Sequence, residues 1–129
     1  KINLHRKRRP KDWKLIETTD IINTLRKEEG PLLIDSIGGF VMKSIGKEQN
    51  EWSTKMNSLI SLLIRRKSIT IIVGEQVGWS LVSEYKIGNT YIERIGELQK
   101  RITKISKDNW LAINGRAIKI DEISIEIPT

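Results

Sequence analysis

The amino-acid sequence predicts an α/β domain in which short apolar strands alternate with amphipathic helices around a mainly parallel sheet. Three observations carry that expectation. Two long stretches, Glu51 to Arg66 and Asn89 to Ser106, repeat apolar residues at helical spacing. Three short apolar runs, Leu32-Leu33-Ile34, Ile69 to Val73 and Trp110 to Ile113, each give way to an acid, a glycine or an Asn-Gly pair. The 129 residues contain no repeat, linker or low-complexity tract, so they form a single α/β domain spanning 1–129.

The elements follow in order. Thr18, Thr19 or Asp20 can cap a helix running to about Lys27, and Glu28-Glu29-Gly30-Pro31 ends it. Leu32-Leu33-Ile34 then forms a strand stopping at Asp35, and a Ser-Ile-Gly-Gly turn leads into a helical piece from Phe40 to Ile45. Between Glu51 and Arg66, Trp52, Met56, Leu59, Ile60 and Leu63 line one helical face. Ile69 to Val73 is rich in β-branched residues and bounded by Gly74, as expected of a buried strand. The second long helix places Ile92, Ile95, Leu98, Ile102 and Ile105 on one face. Trp110 to Ile113 is a third strand ending at Asn114-Gly115-Arg116, and the alternation from Ala117 to Ile127 predicts one or two edge strands. Trp13, Trp52, Trp79 and Trp110 are widely spaced and are expected in the core or an interface.

Composition narrows the chemistry. Without cysteine, disulfide scaffolds, thiolate zinc sites and cysteine nucleophiles are excluded, and the single histidine, His5, rules out paired-histidine metal motifs. The apolar runs are too short to span a bilayer, and the first fourteen residues are basic and polar where a signal peptide would carry an apolar core. The net charge of +7 is local. Residues 1 to 14 carry seven basic side chains against Asp12 alone, whereas the other 115 residues hold 16 basic and 15 acidic groups. Such a cluster suits an anionic partner, whether nucleotide phosphate, nucleic acid or a lipid surface; it is equally the composition of a solvated terminus.

In an open parallel sheet, ligands gather beyond the carboxyl ends of the strands. Asp35, Gly74-Glu75-Gln76 and Asn114-Gly115-Arg116 occupy those positions. An acid directly after an apolar strand can hold magnesium or a sugar hydroxyl, and it can also simply cap the following turn. The segment His5-Arg6-Lys7-Arg8-Arg9-Pro10, followed by Trp13 and Glu17, carries a more specific signal. Cations around His5 disfavour the imidazolium, and a neutral imidazole is a nucleophile. The same guanidinium groups suit phosphate oxygens and the charge that develops in nucleotidyl transfer.

His5-Arg6-x-x-Arg9-Pro10-x-x-Trp13, with Glu17 four positions on, resembles the adenosylcobinamide kinase / adenosylcobinamide-phosphate guanylyltransferase family of cobalamin biosynthesis. Three more segments fall in the family's order: Pro31 to Gly39, Ile71 to Trp79 and Trp110 to Ile118, so the resemblance covers residues 1 to about 120. It implies a P-loop NTPase-like (RecA-like) α/β fold assembled as a homotrimer in the cytoplasm, with neither a membrane span nor a nucleic-acid partner. It also implies two linked reactions: phosphorylation of adenosylcobinamide by ATP or GTP, and transfer of GMP from GTP through a guanylyl-histidine, both assisted by Mg²⁺. Carried over by position, His5 is the histidine that accepts GMP. Arg6, Lys7, Arg8 and Arg9 contact the nucleotide, as do Glu17 and Asp35, with Asp35 also facing the metal.

The sequence departs from the family pattern in places. The phosphate loop G-x-x-x-x-G-K-[ST] does not occur in these residues, and the resemblance places a strand, loop and helix of about 30 residues or more before Lys1. Gly78 is followed by Trp79-Ser80-Leu81-Val82-Ser83 where the family continues glycine-x-glycine and isoleucine-valine-proline. The long helix has Ile92-Glu93 and Gln99-Lys100 in place of arginine-aspartate and asparagine-glutamine. Two alternatives follow: a non-catalytic nucleotide-binding family member, or a nucleic-acid module that uses the basic segment and binds with steep salt dependence.

Overall fold

A computed structural model describes residues 9–79 and 84–128. Helix α1 spans Ile21–Lys27, strand β1 Leu32–Asp35, helix α2 Gly38–Met42 and helix α3 Gln49–Arg65. Strand β2 covers Thr70–Val73, a single 3₁₀ turn Val77–Trp79, and helix α4 Lys86–Ile105. Strands β3 (Trp110–Ile113) and β4 (Arg116–Lys119) follow, then one helical turn, α5 (Ile120–Ile123).

Local chemistry sets these boundaries. Asp20 caps α1 by accepting a hydrogen bond from the Asn23 amide at 3.1 Å, and Glu28 leaves the helix in an extended conformation. The Glu48 amide donates to Glu51 Oε2 at 3.2 Å, which closes the first turn of α3 from within. Arg66 ends α3 and reaches back to the carbonyls of Glu28 and Gly30, while Ser68 Oγ donates to Glu29 O at 2.6 Å. These bonds fix the entry to β1 beside the entry to β2.

β1 and β2 pair in parallel, Leu32 with Thr70 through Asp35 with Val73. Their inner face presents Leu32, Ile34 and Ile72 to a core of Ile21, Leu25, Ile37, Phe40, Val41, Trp52, Met56, Leu59, Ile60, Ile95, Leu98 and Ile102. Full burial of a side chain such as Phe40 or Leu98 contributes about 1.5–3 kcal/mol, so this cluster is the main stabilising feature. Buried Arg94 crosses it, donating to the carbonyls of Ser44 and, at 2.6 Å, Lys47, with its guanidinium 5.6 Å from the Trp52 ring. Trp52 Nε1 in turn donates to Glu97 at 2.9 Å.

The structure departs from the sequence reading in several places. β2 is half-covered, with Ile71 57% and Val73 41% exposed, because the described helices pack on only one face of the pair. β3 does not join that sheet. It forms a separate antiparallel hairpin with β4, since Asn114 (φ 50°) and Gly115 (φ 71°) supply the two left-handed residues of a tight turn. Of the one or two edge strands expected from Ala117 to Ile127, one forms as β4, and the chain then closes into α5, where Asp121 accepts from the Asn109 amide at 2.8 Å. Of the four tryptophans, expected in the core or an interface, Trp52 takes the core, and Trp13, Trp79 and Trp110 are each more than half exposed on this chain. The helical piece expected from Phe40 starts two residues earlier, at Gly38.

Candidate functional site at the strand ends

The carboxyl ends of β1 and β2 lie side by side because the two strands are parallel and in register. Ile37 N donates to Val73 O at 3.2 Å, which carries the pairing two residues past Asp35. Asp35 is exposed at the tip of β1, on the sheet face that no helix among the described residues covers. Register also brings Ser36, one residue on, to Glu75, two residues beyond β2. Ser36 Oγ donates to Glu75 Oε1, and the Gly38 amide points at the same hydroxyl at 3.4 Å.

This corner is closed tightly by α4. A Cβ on Gly38 would sit 2.7 Å from Glu75 Oε1 and 2.8 Å from the Tyr91 hydroxyl. One on Gly74 would meet Gln99 Nε2 at 2.6 Å, so at both glycines a side-chain end would have to move aside to admit a Cβ. Gln99 Nε2 donates to the Glu75 carbonyl at 2.8 Å, and Val77 N donates to the same carbonyl at 3.1 Å. Burial, reinforced by the neighbouring Glu75 carboxylate, raises the Tyr91 phenol above its ordinary value. Glu75 Oε2 is buried with no donor among the described residues.

The segment that leads in from the basic run passes over this corner. Thr19 lies against Gly39, where a Cβ would meet its Cγ2 at 2.8 Å, so the chain crosses the first turn of α2 two residues after Glu17. Farther back, Lys14 Nζ pairs with Glu28 Oε1 at 2.6 Å, and the Trp13 amide closes a turn onto the Pro10 carbonyl at 3.2 Å. Of the site residues expected from sequence, Arg9, Glu17 and Asp35 are described and exposed. His5, Arg6, Lys7 and Arg8 lie outside the described residues. The geometry therefore brings together the Asp35 turn and the segment just downstream of Glu17. Ser36, Tyr91 and Gln99, which sequence reasoning did not single out as site residues, form the corner with Glu75.

Among the described residues no cluster of three or more acids or histidines could enclose a metal ion. Asp35 offers one exposed carboxylate, the donor set expected where Mg²⁺ arrives with substrate phosphates and keeps several waters. Two open grooves of about 510 and 390 Å³ run along α1 and α3, lined by residues including Arg26, Thr54 and Ser58; they contain none of the expected site residues. No helix among the described residues is long and apolar enough to cross a membrane.

Comparison with known proteins places the chain as a whole. Residues 1–120 match the family described as cobinamide kinase / cobinamide phosphate guanyltransferase. Over 138 aligned positions the chain is 20% identical to the bifunctional adenosylcobalamin biosynthesis protein CobU of Escherichia coli (strain K12). That alignment covers 93% of this chain and 76% of that protein.

Proposed function

Because the chain belongs to the cobinamide kinase / cobinamide phosphate guanyltransferase family, we propose that it serves cobalamin biosynthesis in both capacities. It phosphorylates the hydroxyl of adenosylcobinamide with ATP or GTP, then transfers GMP from GTP to the phosphate so formed. In this reading His5 Nε2 or Nδ1 attacks the α-phosphorus of GTP and pyrophosphate leaves. A corrinoid phosphate oxygen then attacks the same phosphorus and the imidazole leaves, so each in-line step inverts and the pair retains configuration. Arg6, Lys7, Arg8 and Arg9 hold phosphate oxygens, and Glu17 and Asp35 orient the nucleotide. Mg²⁺, when bound at Asp35, neutralises charge on the phosphates; a lone exposed carboxylate fits an ion that is shared with substrate.

One structural observation supports this assembly more than any other. The segment leading from the basic run lies across the first turn of α2, immediately after the strand end that carries Asp35. The β1–β2 pair is read as part of a P-loop (RecA-like) sheet, and its uncovered face, with Leu33, Ile71 and Val73, supports that. Assembly as a homotrimer belongs to the same proposal.

His5→Ala tests the reading. The full-length protein incubated with GTP labelled at the α-phosphorus should acquire an acid-labile, base-stable label, and His5→Ala should lose it while melting like the unsubstituted protein. Retention of label and of GTP-dependent corrinoid product by His5→Ala would refute the assignment.

A further inference from the structure

We infer that Glu75 is a positioning residue of this site: acting through Ser36, its carboxylate fixes the turn from Asp35 to Gly38 and thereby the direction in which Asp35 leaves β1. The inference rests on the proposed role of Asp35 with nucleotide and Mg²⁺, and it gives Glu75, so far only a candidate strand-end acid, and Ser36 a definite part.

Only Ser36 and Ile37 separate the end of β1 from the start of α2. Ile37 is buried and its N–H donates a hydrogen bond to the Val73 carbonyl, which leaves Ser36 as the residue that sets how the chain turns. Its hydroxyl has one proton and two lone pairs. The proton goes to Glu75 Oε1, and a lone pair faces the Gly38 amide, so the carboxylate dictates the orientation of the whole hydroxyl. Glu75 is itself held by its backbone. Gln99, one turn from the core residue Ile95 on α4, donates to its carbonyl, and Gly74 lets that side chain approach. A chain of contacts thus runs from α4 through Glu75 and Ser36 to the residue next to Asp35. Asp35 is held on its strand side opposite Val73, and among the described residues no helix covers its face of the sheet, so this turn is what fixes its other side.

The test is equilibrium binding of GTP to the full-length protein, with Mg²⁺ and with EDTA. Asp35→Asn serves as the reference and should lose most of the gain in affinity that Mg²⁺ confers. Ser36→Ala and Glu75→Ala should each lower Mg²⁺-dependent affinity roughly 5- to 10-fold, leave affinity in EDTA within about 2-fold, and together cost no more than either alone. Glu75→Gln keeps an acceptor for Ser36 and should stay within about 3-fold of the unsubstituted protein. A merely structural role would weaken binding alike with and without Mg²⁺. If Asp35→Asn reduces the Mg²⁺ effect while Ser36→Ala does not, or if the Ser36 and Glu75 losses multiply, the positioning role is wrong and that of Asp35 stands. If Asp35→Asn binds normally, both fail. Should Glu75→Ala not fold, Ser36→Ala against Glu75→Gln decides: loss in the first and retention in the second support the inference, and any other pattern overturns it.

Discussion

Adding a single methyl group at Gly38 probes the corner directly. The Cβ of Gly38→Ala would lie 2.7 Å from Glu75 Oε1, 2.8 Å from the Tyr91 hydroxyl and 3.2 Å from Glu75 Cδ. These atoms are ends of side chains, so they can withdraw by a few tenths of an ångström while α2 stays in place. The cost then falls on the bond from Ser36 to the Glu75 carboxylate, which as a hydrogen bond to a charged group contributes about 1.5–3 kcal/mol. Alanine at the first position of α2 restores up to about 1 kcal/mol of backbone entropy. The expected net loss is about 1–2 kcal/mol, or roughly 3–10 °C in Tm for a chain of this size. Thermal unfolding followed by circular dichroism measures it. Gly46→Ala, where nothing lies within 4 Å of the new Cβ, is the control and should gain about 0.4–1 kcal/mol. The decisive comparison is Gly38→Ala in a Ser36→Ala background. With the hydroxyl gone, the methyl has no Ser36–Glu75 bond left to break, so its cost should nearly vanish. A loss that persists in full there would refute the reasoning and locate the damage in the backbone of α2.

Two further expectations concern polar groups that α4 carries, one in the core and one at this corner. Arg94→Met removes the donors to the Ser44 and Lys47 carbonyls but also a buried guanidinium whose Nε has no partner among the described residues. The loss should prevail by about 1–3 kcal/mol in urea unfolding, and a variant at least as stable as the parent would mean that desolvating the charge outweighs its bonds. Tyr91 is raised above 10.0 in the folded state by burial first and Glu75 second, so the folded protein holds this proton more tightly than the unfolded chain. Its contribution to stability is complete below pH 10 and is lost as pH rises through the folded value. Tyr91→Phe should flatten that alkaline fall and remove a phenolate absorbance component with a midpoint above pH 10; an unchanged titration would contradict the placement of the phenol beside Glu75.

Much of the fold is legible because its signals are local. Asp20 caps α1 from the position where a capping residue is expected, and Trp52, Met56, Leu59 and Ile60 trace one face of α3 by spacing alone. The misreadings concern pairing. Trp110 to Ile113 and Ile69 to Val73 are both short and apolar, and such runs do not say which neighbour they join or how many faces are covered. For β3 a usable signal was present. Asn114-Gly115 between two apolar segments marks a two-residue hairpin turn, and weighing it above the βα alternation would have separated β3 from the parallel pair.

The corner was harder to see, for a reason that parallel sheets share. Ser36 and Glu75 are 39 positions apart, and they meet because Asp35 is opposite Val73, a register that no local pattern encodes. Asp35 and Glu75 could be picked out as strand-ending acids, but not the serine that connects them. The α4 side was partly readable. Tyr91, Ile95 and Gln99 are spaced by four, so one ridge of the helix carries two polar residues around a fully buried isoleucine. A polar side chain on the ridge that faces the core must find a partner there, and Gln99 finds the Glu75 carbonyl. Polar interruptions of an apolar helical stripe therefore point to where a helix meets the end of a strand. In this chain they single out the place where Glu75 is held, and through Ser36, the turn behind Asp35.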